Sequence, residues 1–492
     1  MLIVLIIAPL IFSALTFSIP SNRLRPWMLP VAGLVQLGLV FQQIQEPHLS
    51  PAHQFDKWLV LDPLGKVFLG LITVLFFLCA GYAPGYLHER KERNNRVLCS
   101  CLLLSLSMMT LIILSHHLGL MWVAMEATTL CTAPGLYFNH NARSLEATWK
   151  YLLICSVGIA LALFGSLLLA YASLHASLEP TLLFDDLIKQ APDMSAPWLR
   201  AAFILLLVGY GTKMGLAPMH TWKPDAYCEA PGMIGALLAG GMTNCAFLTI
   251  LRFYQIMIAA GKSSYVRPML IFMGLLSMLM AAVFMARQKD FKRLLAYSSV
   301  EHMGILIFGI GVGGAGVFMA LLHAVNNGLT KGVLFLSAGN IHRAYGSKYV
   351  GDVQGACRRL PLSGWMFLAG FLAITGSPPF APFVSEFGIV SAAFAEDHYY
   401  AGGLFLTALF VVFVAFGSAV VGIVFGKPSA PPSLTRFRDH FSTSWPIVAF
   451  MILVVLLGLY VPEPLKVLLE HAEEFLENPM QWLVDVGWET AA

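Results

Sequence analysis

Five side chains that exchange protons stand in stretches of sequence otherwise too apolar to hold them. They are Glu126 in LGLMWVAMEATTL, Lys213 in GYGTKMGLAPMHTW, His323 and Lys331 in HAVNNGLTKGV, and Glu386 in GSPPFAPFVSEF. An ionisable group in lipid-like surroundings costs several kcal/mol unless it is paired or wetted, so it marks an ion path, a relay or a buried pair. His302 lies in a further apolar run. His323, Asn327 and Lys331 recur every four residues and therefore line one face of a helix. The chemistry open to such a row of carboxylates, imidazoles and amines is proton transfer. The plainer alternative is a hydrogen-bonded clamp between helices; the rarity of lysine at such depth makes it the weaker reading. No nucleophile with an adjacent base has a recognisable signature.

Composition fixes what must position these groups. Of 492 residues, 58% are hydrophobic and 12% charged, where a soluble domain carries about 25% charged residues. Mean hydropathy is +0.74. So little charge cannot solvate a globule of this size, which excludes a soluble enzyme, a secreted protein and a nucleic-acid binder. The expected fold class is all-α: a polytopic membrane protein forming a single membrane domain over 1–492. At about 20 apolar residues per crossing, fourteen segments qualify: 2–20, 27–44, 59–83, 97–115, 118–138, 150–174, 199–219, 232–258, 267–286, 294–312, 316–340, 362–390, 402–426 and 444–461. The first lacks the basic start of a signal peptide and reads as a spanning helix. The stretch 463–492, with Glu470, Glu473, Glu474 and Glu477 among leucines, reads as an amphipathic surface tail.

Charge placement tests the count. With the N-terminus outside, the odd-numbered connections hold 20 lysines and arginines, Lys223 among them, against 6 in the even connections and tail. That asymmetry obeys the positive-inside rule with both termini on the outer side of a bacterial or archaeal cytoplasmic membrane. Four cations fall inside spans: Lys66, Lys213, Arg252 and Lys331. Lys66 and Arg252 lie near span ends, where snorkelling to the interface is the favoured reading.

Two spans carry breakers beside a titratable group. Gly209, Gly211, Gly215 and Pro218 surround Lys213, and Pro378, Pro379 and Pro382 precede Glu386. Broken helices survive at membrane depth only where the freed backbone is buried in protein or lines a wet cavity. Their recurrence five spans apart predicts two inverted five-helix repeats, 97–258 and 267–426.

Other motifs carry less. Gly309, Gly311 and Gly314 spell G-x-G-x-x-G between two apolar helices with no strand before them, so close packing or a turn is expected rather than a dinucleotide site. His116–His117 reads as an interfacial pair, and Asp62–Pro63 as a helix start. Eight cysteines without a C-x-x-C pair give no cluster or zinc signature, so no metal or cofactor is expected in this chain.

Taken together, LGLMWVAMEATTL (118–130), GTKMGLAPMHTWKPDA (211–226), DFKRLLAYSSVEHMGI (290–305), HAVNNGLTKGVLFLSAGNI (323–341) and GSPPFAPFVSEF (376–387) resemble a known family. It comprises the proton-translocating antiporter-like subunits of respiratory complex I, Mrp-type sodium/proton antiporters and membrane-bound hydrogenases. The stretches LEATWKYLLICSVGIALAL (145–163) and SSVEHMGI are most similar to component F of hydrogenase-4 and formate-hydrogenlyase complexes. The resemblance implies that Glu126 and Lys213 form a coupled pair, that His323 and Lys331 belong to a central hydrophilic axis, and that Glu386 is its terminal protonatable group. It makes Glu301, His302, Asn244 and Asn327 a possible relay, the two asparagines by holding water or a hydrogen bond. Asn244 stands where many relatives have a lysine, and Asn327 where histidine is common; neither titrates. Lys223 replaces a usual apolar residue in HTW-x-PDA and is expected to be solvated.

The resemblance further implies an ion-translocating subunit, non-catalytic itself, of a redox-driven complex. Nickel–iron and iron–sulfur centres belong in its partner subunits, membrane and soluble. Other functions remain: an Mrp-type antiporter subunit moving Na⁺, for which the spans hold few oxygen ligands, or a complex I-like subunit, and a scaffold that has lost transport.

Overall fold

The computed structural model describes residues 1–45, 57–427, 435 and 437–481. Helices in chain order are α1 (Leu2–Ser18), α2 (Arg25–Gln45), α3 (Pro63–His88), α4 (Arg96–Leu114), α5 (Leu118–Leu136), α6 (Ala142–His175), α7 (Phe184–Gln190) and α8 (Ala196–Met214). There follow α9 (Trp222–Glu229), α10 (Gly232–Leu237), α11 (Thr243–Ala259), α12 (Ser263–Met285), α13 (Phe291–Val312) and α14 (Ala315–Tyr345). The last are α15 (Ala356–Arg359), α16 (Pro361–Ile374), α17 (Ala381–Ala395), α18 (Tyr399–Phe425), α19 (Phe441–Leu459) and α20 (Glu463–Glu477). No strand occurs among the described residues. Nine helices there are long and apolar enough to cross a membrane, α10 and α11 counting as one through the π-helical turn Leu238–Met242. Each of the fourteen expected segments holds helix; 362–390 is interrupted between α16 and α17, and in 199–219 the helix ends at Met214.

In such a bundle helices begin where polar caps satisfy the first backbone donors. Asp62 accepts from Gly65 N–H at 2.6 Å with Pro63 at the first helical position, as expected for a helix start. Asn141 and Ser144 cap α6 reciprocally, and Asp290 caps α13 through the Lys292 and Arg293 amides. Between helices, small residues allow backbones to approach. A Cβ on Gly209 of α8 would fall 2.6 Å from Ala162 N of α6, and one on Gly274 of α12 would fall 2.7 Å from Gly304 O of α13. The G-x-G-x-x-G stretch works the same way: Gly311 presses on the α12 backbone and Gly314 turns into α14 at φ +50°.

The long helix α14 is the central strut. It packs against α3, α10, α13, α16, α17 and α19, so its polar stripe is enclosed on every side. At the chain's end, α20 lays Leu469, Ala472, Phe475 and Leu476 into the bundle. Tyr254 O–H and Arg267 hold its Glu477 at 2.9 and 2.5 Å.

Two expectations need correction. Arg252 does not snorkel: it is 1% exposed, and its guanidinium binds the Asp62 carboxylate while facing the Phe184 ring at 5.0 Å. Lys66 is buried too, with Nζ 3.5 Å from Ile44 O. His116 is likewise no interfacial residue. It is buried, with Nε2 3.0 Å from Asp62 and Nδ1 3.2 Å from Asp185 on α7, whereas His117 caps α5. Burial works against the His116 charge, but Asp185 and then Asp62 outweigh it and raise its pKa above 6.5. These four groups fasten α3, α11 and the connection through α7 at one end of the bundle.

Candidate functional site

The first break follows Lys213. Gly215 ends α8 in the left-handed region at φ +81°, which lets its N–H reach Gly211 O at 2.8 Å and close the helix. Trp222 Nε1–H satisfies the freed Thr212 carbonyl at 2.8 Å. This end holds Lys213 fully buried, its Nζ donating to Thr129 Oγ1 and lying 5.3 Å from the Tyr151 ring centre. Thr129 Oγ1 also stands 3.4 Å from Glu126 Oε2, so the expected carboxylate–lysine pair is joined through a hydroxyl. Glu126 itself is half-buried at the rim, where Ser156 Oγ–H donates to Oε1 at 2.7 Å.

The second break precedes α17. Gly376 takes φ +65°, a conformation that favours glycine, and a Cβ there would fall 2.2 Å from Glu386 Oε2, so any side chain would displace the carboxylate. Glu386 Oε1 lies 3.8 Å from His302 Nδ1, which in turn lies 3.0 Å from His323 Nε2. His323 Nδ1 reaches Ser385 Oγ at 2.9 Å. One turn pair along α14, Lys331 Nζ donates to Ser298 Oγ at 2.5 Å, and Glu301 and Glu386 are the carboxylates whose charge acts on it. Glu301, His302, His323 and Lys331 are all 0–1% exposed. The ligand-type atoms of His302, His323 and Glu386 lie within 4.8 Å of one another, close enough for one cation. Two imidazoles 3.0 Å apart with a hydroxyl beyond also have the geometry of a shared, transferable proton.

Between the two clusters the expectations divide. Asn244 donates back to Gly240 O of its own helix at 2.7 Å, and its Oδ1 has no partner among the described residues. Among those residues both side-chain polar atoms of Asn327 are likewise unpartnered, as is Glu386 Oε1 outside its approach to His302. Buried polar atoms of this kind are satisfied by water in a site roomy enough to hold it. Lys223 is the correction: it is fully buried, not solvated, with Nζ 3.1 Å from Ser299 Oγ and 5.9 Å from the Tyr227 ring centre. Sequence reasoning also missed Thr129, Ser156, Ser298 and Ser385, for hydroxyls are common in apolar helices and nothing in their type sets these apart. For Lys223 a signal existed: it follows a helix break, after which the chain turns back into the bundle.

This placement can be set beside other proteins. The family model described as "NADH:quinone oxidoreductase/Mrp antiporter, TM" matches residues 115–414, from the start of α5 into α18 and so across both breaks. The chain belongs to that family. It is 34% identical over 484 residues to a hydrogenase-4 component F homolog of Methylacidiphilum infernorum, covering 96% of this chain and 99% of that one. Its fold matches a chain of the Mrp complex from Dietzia sp. with TM-score 0.86 at 19% identity, over 99% and 98% of the two chains. It also matches a chain of respiratory complex I from Thermus thermophilus with TM-score 0.81 at 22% identity, over 97% and 100%. This is an antiporter-like membrane subunit of the complex I, Mrp and membrane-bound hydrogenase family.

Proposed function

We propose that the chain is the proton-translocating subunit of a redox-driven membrane complex of the group 4 nickel–iron hydrogenase or formate-hydrogenlyase kind. The observation that carries the translocation is the pair of proton-exchanging clusters seated at two helix breaks, Glu126 with Lys213 at the first and Lys331, His302, His323 and Glu386 at the second. The hydrogenase assignment is supported by the component F homolog, which spans nearly the whole of both chains. In this reading partner subunits hold the nickel–iron and iron–sulfur centres, and the breaks are matching half-helix junctions of the repeats 97–258 and 267–426. Both termini lie on the outer face of the cytoplasmic membrane.

Glu126 is the switch. Opposite charges ~6 Å apart at an effective dielectric of ~20 attract by about 2.8 kcal/mol, a bias of about a hundredfold on the Lys213 proton. Neutralising Glu126, or drawing its charge away, releases that proton inward; restoring it recharges Lys213. Protons are favoured over Na⁺ because imidazoles and amines, poor sodium ligands, dominate the axis.

The test is isolation of the native complex through this chain, followed by reconstitution in vesicles. Hydrogenase and iron–sulfur subunits are expected to co-purify, and turnover to acidify or alkalinise the lumen without Na⁺. Co-purification of small antiporter subunits only, with strict Na⁺ dependence, contradicts it.

A further inference from the structure

We infer that Lys223 is the middle relay of the proton path, receiving from Lys213 and delivering to Lys331. The inference rests on the translocation reading above and adds a residue to it.

Placement comes first. The Lys223 side chain lies across Gly215, two residues after Lys213; a Cβ on that glycine would fall 2.2 Å from Lys223 Cε and 2.8 Å from Nζ. At its far end Lys223 Nζ meets Ser299 Oγ at 3.1 Å, while Lys331 Nζ meets Ser298 Oγ at 2.5 Å. Two buried amines thus sit on consecutive hydroxyls of α13, one reaching from α9 and the other from α14.

Cost points the same way. Among the described residues no carboxylate lies within 4 Å of Lys223 Nζ, so no ion pair offsets its burial. An unpaired buried lysine is expensive and marks a functional position. Its use as a brace is redundant, because Asp225 already ties α9 to Lys150 of α6 at 2.9 Å and to Arg293 of α13 at 2.6 Å.

A gap needs filling as well. Asn244 carries no transferable charge and is turned to its own backbone. Lys223 supplies the amine that the middle of the axis otherwise lacks.

The transfer balances simply. One N–H bond of the Lys213 ammonium breaks and its proton joins the neutral Lys223 amine. Lys223 then releases a proton to the neutral Lys331 amine by way of water between the Ser299 and Ser298 sites, one N–H bond breaking on Lys223 as one forms on Lys331. Repulsion between adjacent ammonium groups favours a single charge moving along the row.

The test measures protons translocated per electron by the reconstituted complex carrying Lys223→Gln, Lys223→Met or Lys213→Ala. Glutamine retains a donor for Ser299 but cannot carry the charge. The expected result is assembly of Lys223→Gln with the ratio reduced about tenfold or more, matching Lys213→Ala. A parental ratio in Lys223→Gln with loss in Lys213→Ala overturns the Lys223 assignment and leaves the axis standing. A parental ratio in all three removes the translocation reading itself. Should Lys223→Met fail to assemble, Lys223→Gln alone decides.

Discussion

Lys331→Ala abolishes proton translocation by the assembled complex, reducing the proton-to-electron ratio by about 100-fold while the bundle stays folded. The lysine lies inside α14 with one hydroxyl contact and two carboxylates acting on it, and a proton moving from the middle of the axis to Glu386 meets it on the way. Removing it orphans little. Ser298 keeps its bond to Leu295 O at 3.0 Å, and the carboxylates Glu301 and Glu386 can take up protons instead. Lys331→Arg sharpens the test, since a guanidinium keeps the charge but does not release its proton. Arginine is expected to be as inactive as alanine. Vesicle acidification measured against electron flux checks both; full activity in the arginine variant would make the charge, not the proton, the working feature.

Asp62→Asn destabilises the protein by about 3–5 kcal/mol, the largest stability loss expected of any single polar change. Asp62 is fully buried, holds both Arg252 and His116, and caps α3. Without its charge, a buried guanidinium is left with no carboxylate in contact among the described residues. The melting midpoint of the purified chain in detergent should fall by roughly 5 °C or more. The double variant Asp62→Asn/Arg252→Met, which removes both charges, should recover part of that loss. An unchanged midpoint in Asp62→Asn would contradict the cluster's structural role. Because the folded-state pKa of His116 lies above its unfolded 6.5, its contribution is complete below that value and is lost as pH rises through the folded one. The parent's midpoint should therefore decline on that alkaline side.

Much of the site was legible because ionisable residues in apolar sequence stand out by type alone. Glu126, Lys213, His302, His323, Lys331 and Glu386 were found in that way, and the structure brings the last four together with Glu301. Partnerships across the chain were not legible. Asp62 and Arg252 are 190 residues apart, and each taken alone has a simpler reading as a cap or a snorkelling cation. Lys223 was misread because WKPDA looks like the end of a connection; after the break at Gly215 the half-helix α9 folds back into the interior. The helices followed from apolar length, whereas α7, which delivers Asp185 to His116, lies in a connection with no such signal.

The central claim is that one coupled line of side chains hands H⁺ across the bundle, with the state of Glu126 governing Lys213. Its most direct test is the proton-to-electron ratio of the reconstituted complex with Glu126→Gln beside Lys213→Ala. Intact assembly with a collapsed ratio is expected in both; parental ratios in both would overturn the relay.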